Sequence, residues 1–293
     1  MAAVDPKVVT QTAKELYIRA LKVLPPDVKA ALARAHERES HPRAREILGI
    51  MLKNLEVAES RGLLVCQDTG TPVYKLRIGR GLEYDGPELL AAIVEGVKQA
   101  TLEHPLRSSV CHPIDRSNPQ TNTGRRIPVI DVEFLEESGY LELKMMPKGS
   151  GSENMSFLKM LTPAEGLAGI KKFVLQCVVD AGGKPCPPTL VGMGIGGTSD
   201  LAMKLAKEAI WRPVGSPNPD PAIAALESEL LEAINALGLG PMGLGGDTTA
   251  LAVQIEYAHT HITQNPVAVT LQCWRGERAM ARIYPDGRVA HGW

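Results

Sequence analysis

Hydrophobic residues recur with helical period through the first hundred positions, and then that pattern stops. Residues 6–22, 27–38 and 42–60 each set an apolar stripe against charged positions, and 88–103 does so again after Gly86-Pro87. Residues 63–66 read as a short buried strand. Residues 105–128 form a long polar stretch rich in Pro, Asn and Thr. A segment of that length without regular structure is functional or disordered. Beyond it short strands and helices alternate. Residues 127–135 and 140–147 read as strands joined by Glu136–Gly139 into a hairpin. Thr162-Pro163-Ala164-Glu165 opens a helix to 181 with a capping pattern. Strands follow near 189–193, 249–257, 266–273 and 279–284, with helices over 199–210 and 221–237. The expectation is a mixed α/β fold: a helical N-terminal part, then mixed sheets flanked by helices. No repeat or linker interrupts residues 1–293, so they read as one domain, with two α/β lobes as its largest division.

Charge removes several function classes. Lys plus Arg is 32 and Asp plus Glu is 33, a net charge of −1, so nothing draws the chain generally to nucleic acid or to an anionic membrane. No apolar run approaches the roughly 18 residues of a membrane span. The start, Met1–Lys7, lacks the basic-then-apolar pattern of a secretory leader. Five cysteines, an odd and irregularly spaced set, point to reduced thiols and a cytoplasmic setting.

The cysteines differ in context. Cys177 lies inside an apolar helical stretch and reads as a small buried hydrophobe. Cys111 sits in the polar segment and carries no assignment. Cys66 ends an apolar run and meets Gln67-Asp68-Thr69-Gly70. Cys186 is flanked by Pro185, Pro187 and Pro188, and Cys273 ends a strand-like run. The last three stand 120 and 87 residues apart, too far for a zinc ribbon or a ferredoxin-type motif. By spacing alone, three structural thiols or a cluster assembled from distant loops are both open. Gly192, Gly194 and Gly197 satisfy a dinucleotide-loop pattern, but no acidic residue follows a second strand at the required distance, which weakens a nicotinamide reading. His259 and His261 share a strand-like face, as a metal pair or as two hydrogen-bonded side chains.

Six fragments taken together resemble the α-type half of the iron–sulfur hydro-lyases, class I fumarase and L-tartrate dehydratase. They are residues 65–72 (VCQDTGTP), 104–124 (HPLRSSV and NPQTNTG), 148–154 (KGSGSEN), 181–188 (AGGKPCPP), 192–200 (GMGIGGTSD) and 259–274 (HTHITQNPVAVTLQCW), in the family's order across most of the chain. The resemblance implies a 4Fe–4S cluster in a pocket, held by Cys66, Cys186 and Cys273, with one iron lacking a protein ligand and therefore open and oxygen-sensitive. It implies catalytic roles for Asp68 and His261, with His259 as the alternative histidine. It implies substrate contacts from Gln67, Arg107 and the backbone of Gly149 to Gly151, where Ser150 replaces the middle glycine of the commoner run. The implied activity is hydration of fumarate to malate, a step of the tricarboxylic acid cycle. Dehydration of L-tartrate is the alternative, and a cluster-binding assembly subunit the non-enzymatic one. The implied partners are a small C4 dicarboxylate and a β-type subunit. That subunit supplies a second carboxylate clamp and a proposed catalytic threonine, in an oligomer such as a dimer of αβ units. The chain alone is then expected to turn over poorly.

Overall fold

Residues 3–293 are described by a computed structural model; the first two residues of the segment read for a leader lie outside it. The structure is mixed α/β, with helices first and two mixed sheets after them. The chain forms two units, each with its own sheet. One comprises Met1–Pro25, Leu55–Ser150 and Glu277–Trp293; the other comprises Pro26–Asn54 and Gly151–Gly276.

The first unit is built on a five-stranded sheet of order β2-β1-β3-β8-β9. Its strands are β1 (Thr71–Arg80), β2 (Val129–Ser138), β3 (Leu141–Lys148), β8 (Ala279–Ile283) and β9 (Val289–Gly292). Two helices cover one face, α1 (Pro6–Lys22) and α4 (Gly86–Glu103). Each begins where the sequence can satisfy helix-end N–H groups. Asp5 accepts from Lys7 N and Asp85 from Glu88 N, and each helix has proline in its first turn. Tyr74, Leu76 and Ile78 of β1 join Leu16, Tyr17 and Leu21 of α1 and Leu89 and Ile93 of α4 in one buried cluster. Each large aliphatic residue buried there contributes roughly 1.5–3 kcal/mol.

Residues alternate across a strand, so Lys75, Arg77, Glu133, Glu142, Lys144 and Arg282 share the other face. Glu142 lies 2.8 Å from Arg77, 3.2 Å from Arg282 and 3.6 Å from Lys144. Burial pushes its carboxyl up, but these three cations outweigh that and hold it below the usual glutamate range.

Two strand expectations need correction. β2 and β3 are consecutive but do not pair as a hairpin: β1 lies between them, parallel to β2 and antiparallel to β3. Their connection passes over the end of β1, where Gly79 N donates to Tyr140 O at 3.1 Å. A Cβ on Gly79 would meet that oxygen at 2.5 Å, so glycine there is what lets the connection cross. Residues 63–66 are not a strand either; the strand begins at Thr71.

The second unit holds a four-stranded sheet of order β4-β7-β5-β6. Its strands are β4 (Ser156–Leu161), β5 (Thr189–Ile195), β6 (Ala250–Tyr257) and β7 (Asn265–Gln272). β5 is parallel to β6, and β7 is antiparallel to both β4 and β5. The apolar cluster under this sheet takes in α6 (Gly166–Ala181) and α8 (Pro221–Asn235). On α7 (Ser199–Ala209), Ala202 and Ala206 pack with Ala268 of β7. α2 (Pro26–Arg38) lies in this unit. α3 (Pro42–Arg61) runs through the unit boundary at 54–55, and α5 (Ser150–Glu153) begins at the boundary at 150–151. Between α2 and α3, buried Glu39 accepts the N–H groups of Asp247 and Thr248. Among the described residues no helix is long and apolar enough to cross a membrane.

Candidate active site

The loop between α3 and β1 carries Cys66, Gln67 and Asp68. Val65 N donates to Leu21 O at 3.0 Å, which ties the loop's start to α1. Cys66 and Gln67 that follow are exposed, and Asp68 is half-buried. The Asp68 carboxylate is held at both oxygens. Oδ1 accepts the Gly70 N–H at 3.0 Å; Oδ2 accepts the Ser150 N–H at 3.0 Å, with the Ser150 hydroxyl at 3.4 Å. Gly70 has φ +67°, the left-handed region that glycine enters without cost. A Cβ there would also meet the backbone of Pro147 at 2.6 Å and Lys148 at 2.8 Å. The glycine thus brings the Asp68 loop against the end of β3, where Ser150 follows. The Tyr17 hydroxyl donates to Thr69 O at 3.0 Å. Burial raises that hydroxyl far above the usual tyrosine range, so it remains a donor.

Arg107 lies where α4 has ended and the polar stretch begins. Its carbonyl accepts from Thr69 Oγ1 at 2.6 Å, so it is tied to the residue after Asp68. The Arg107 side chain is exposed and has no hydrogen bond or ion pair among the described residues. This unit therefore brings Asp68, Arg107 and Ser150 onto connected loops, with Cys66, Gln67 and Gly149 beside them in the chain. The sequence points to the backbone of Gly149 to Gly151 for an N–H that faces the substrate; within that loop the Ser150 amide meets the Asp68 carboxylate. The serine was visible as a departure from the family's glycine run, but its bond to a carboxylate 82 residues away was not.

In the second unit, Cys186 is exposed and has φ +57°, a conformation that costs a non-glycine residue energy and recurs at functional sites. Its carbonyl accepts the Trp274 N–H at 3.1 Å, which joins the Cys186 loop to the residue after Cys273. Gly151 adjoins the same loop, since a Cβ on it would meet Lys184 O at 2.9 Å. Cys273 is buried. Cys177 packs in the apolar cluster, and burial pushes its thiol up to about 12, as a structural thiol should be. Cys111 is half-buried. Among the described residues no group of three or more His, Cys, Asp or Glu is arranged to hold a metal ion. That bears on a single-ion site; the thiolates of a four-iron cluster bind different irons.

His261 and His259 are both exposed. Thr263 N donates to His261 Nδ1 at 3.3 Å, with Thr263 Oγ1 at 2.9 Å from the same nitrogen. A backbone N–H can only donate, so in the neutral ring the proton sits on Nε2, which is left to exchange protons. His259 is engaged through its backbone, its carbonyl accepting Gly197 N–H at 3.2 Å.

The glycine run after β5 serves packing. A Cβ on Gly192 would meet Ala206 O at 2.3 Å, and one on Gly194 would meet Ala202 O at 2.0 Å. These glycines let α7 lie directly on β5. The sheet around them has antiparallel β7 beside β5, not the all-parallel neighbourhood of a dinucleotide fold.

The family model described as Fumarate hydratase (Fumerase) matches residues 10–282. The chain belongs to this family. Its members are hydro-lyases, which places this fumarate hydratase relative among the lyases. It is 48% identical over 277 residues to a Methanocaldococcus jannaschii protein named "Putative L(+)-tartrate dehydratase subunit alpha", covering 94% of this chain and 97% of that one. It is 32% identical over 263 residues to the L(+)-tartrate dehydratase subunit alpha of Escherichia coli K12, covering 90% and 86%.

Proposed function

We propose that this chain is the α-type subunit of a cluster-dependent hydro-lyase that interconverts fumarate plus water with malate, working with a β-type subunit. The observation that carries the reading is the Asp68 carboxylate, held at both oxygens by Gly70 and Ser150 yet still half exposed. A carboxylate fixed in direction and open to a ligand suits proton handling better than a structural role.

The family resemblance assigns a 4Fe–4S cluster to Cys66, Cys186 and Cys273, and the surroundings of the individual cysteines support that reading. Cys66 and Cys186 are exposed residues. Gln272, one residue before Cys273, has a buried amide nitrogen without a hydrogen-bond partner, a donor of the kind that cluster sulfurs accept. When bound, a cluster on three thiolates supplies one Lewis-acidic iron for a substrate oxygen.

The chain's own residues do the rest. Arg107 offers five N–H donors in a planar fork to one substrate carboxylate. Gln67 hydrogen-bonds the substrate beside it. Asp68 holds or passes a proton at its carboxylate, and His261 does so at Nε2. The loop from Gly149 to Gly151 orients Asp68 through the Ser150 amide.

A second reading, dehydration of L(+)-tartrate to the enol of oxaloacetate, is favoured by the names of both relatives above. The test is turnover by the anaerobically loaded αβ enzyme, following fumarate formed from malate and oxaloacetate formed from L-tartrate. Malate turnover with the higher kcat/KM supports the first reading, and a higher value for tartrate supports the second. If the four-iron enzyme turns over neither acid, both fall and the assembly-subunit alternative gains.

A further inference from the structure

The exposed Arg107 is anchored at its carbonyl. That oxygen accepts two side-chain hydrogen bonds, from Thr69 Oγ1 at 2.6 Å and from Asn122 Nδ2 at 3.0 Å. Both donor residues are fully buried, at 0% exposure. Asn122 does more than cap one carbonyl. Its Oδ1 accepts the Ser109 N–H at 2.7 Å, and its Nδ2 also reaches Thr101 Oγ1 of α4 at 3.3 Å. Because Ser109 N can only donate, the amide orientation is set. The backbone of Asn122 is left-handed, φ +53°, a region where asparagine is enriched among non-glycine residues. One side chain thus ties residues 107 and 109, at the start of the polar stretch, to residue 122 near its end and to α4. Thr69, the other donor, directly follows Asp68.

A stretch of this length without a sheet or helix of its own would have to be ordered each time a ligand bound, at a cost to affinity. Two buried side chains meeting on one backbone oxygen remove that cost where the guanidinium leaves the chain. We propose that Thr69 and Asn122 are positioning residues that hold Arg107 at a fixed place relative to Asp68, so that its guanidinium is set in advance for a substrate carboxylate. This rests on the reading of Arg107 as the carboxylate-binding group. It gives a role to the NPQTNTG stretch that the site description left without one.

The test uses the iron-replete αβ enzyme and the split between KM and kcat. Thr69→Val and Asn122→Gly each leave the carbonyl one donor, and Asn122→Gly keeps the left-handed backbone accessible. Each is expected to raise KM about 3–10-fold, the size of one net hydrogen bond, with kcat and iron content close to wild type. Thr69→Ser, which keeps the hydroxyl, should restore KM. In an Arg107→Ala background neither substitution should raise KM further, because the group they position is gone. A further rise in that background, or a fall in kcat with unchanged KM, overturns the proposal. If Arg107→Ala raises KM and neither clamp variant does, the clamp fails while the carboxylate reading stands. If Arg107→Ala leaves KM unchanged, that reading fails and the clamp with it. Should Asn122→Gly not fold, the Thr69→Val and Thr69→Ser pair decides the matter alone.

Discussion

The two donors on Asp68 Oδ2 can be removed one at a time. Ser150 supplies an N–H at 3.0 Å and a hydroxyl at 3.4 Å. The first distance is ordinary for N–H···O, whereas the second is far beyond the usual ~2.7–2.8 Å of an O–H···O bond. A charge-assisted bond of ordinary length contributes about 1.5–3 kcal/mol, and the long hydroxyl contact much less. Ser150→Ala deletes only the weak contact, so kcat should fall less than about 3-fold. Ser150→Pro deletes both donors, and proline suits the first turn of the short helix α5 that begins there. Asp68 then loses the Ser150 anchor on Oδ2 and is freer to swing about its Cα–Cβ bond. A misplacement of order 1 Å at a proton-handling group costs on the order of 100-fold, so kcat should drop about 10–100-fold with KM little changed. The assay is steady-state kinetics on αβ enzyme shown to retain its iron, with a thermal melt as control. Equal losses in the two variants would mean that the hydroxyl, not the amide, orients Asp68. Wild-type kcat in iron-replete Ser150→Pro would refute the orienting role itself.

Cys66→Ser, Cys186→Ser and Cys273→Ser should each abolish stable iron loading, while Cys177→Ala and Cys111→Ala should not; iron and sulfide analysis after anaerobic reconstitution decides it. Air should inactivate the loaded enzyme and ferrous iron with a thiol should restore it, and activity that survives prolonged aeration would contradict an open iron. Asp68→Asn and His261→Asn should each lower kcat strongly, about 10²–10⁴-fold, and their double mutant should lose much less than the product of the two, a cycle read directly from kcat. Glu142→Gln removes the carboxylate shared by Arg77, Lys144 and Arg282 and should destabilise the chain by at most about 3 kcal/mol, the low end for breaking a buried pair, since Arg77 keeps Glu133 at 3.4 Å and Arg282 reaches solvent. The Glu142 carboxyl is held below its usual range, so its stabilisation is complete above the unfolded value and is lost as pH falls through the folded one; the gap in melting temperature should be full at pH 7 and close in acid.

What could be read from the chain beforehand depended on how far apart the interacting residues lie. The starts of α1, α4 and α8 were readable because Asp5-Pro6, Asp85-Gly86-Pro87 and Asp220-Pro221 carry their capping chemistry within a few residues. β1 carries a period-two signal, with Tyr74, Leu76 and Ile78 alternating with Lys75 and Arg77, but the apolar run at 63–66 draws the strand reading one segment too early. In the folded chain that run is buried only in part, with Leu63 exposed. The hairpin expectation failed because adjacency in sequence says nothing about a third strand slipping between; the cue was Gly79, whose meaning depends on Tyr140. A division into two lobes was open from the sequence, but where it runs was not legible. The chain passes between them at 25–26, 54–55, 150–151 and 276–277, and at the second of these α3 continues unbroken. No linker composition marks a boundary that runs through a helix. For the site, spacing alone left the cysteines undecided, and only the family resemblance singled out Cys66, Cys186, Cys273, Asp68 and Arg107. Ser150, Thr69 and Asn122 act through bonds that span 82, 38 and 15 residues. A serine, a threonine and an asparagine in polar loops are ordinary residues until the fold shows which oxygen each one meets.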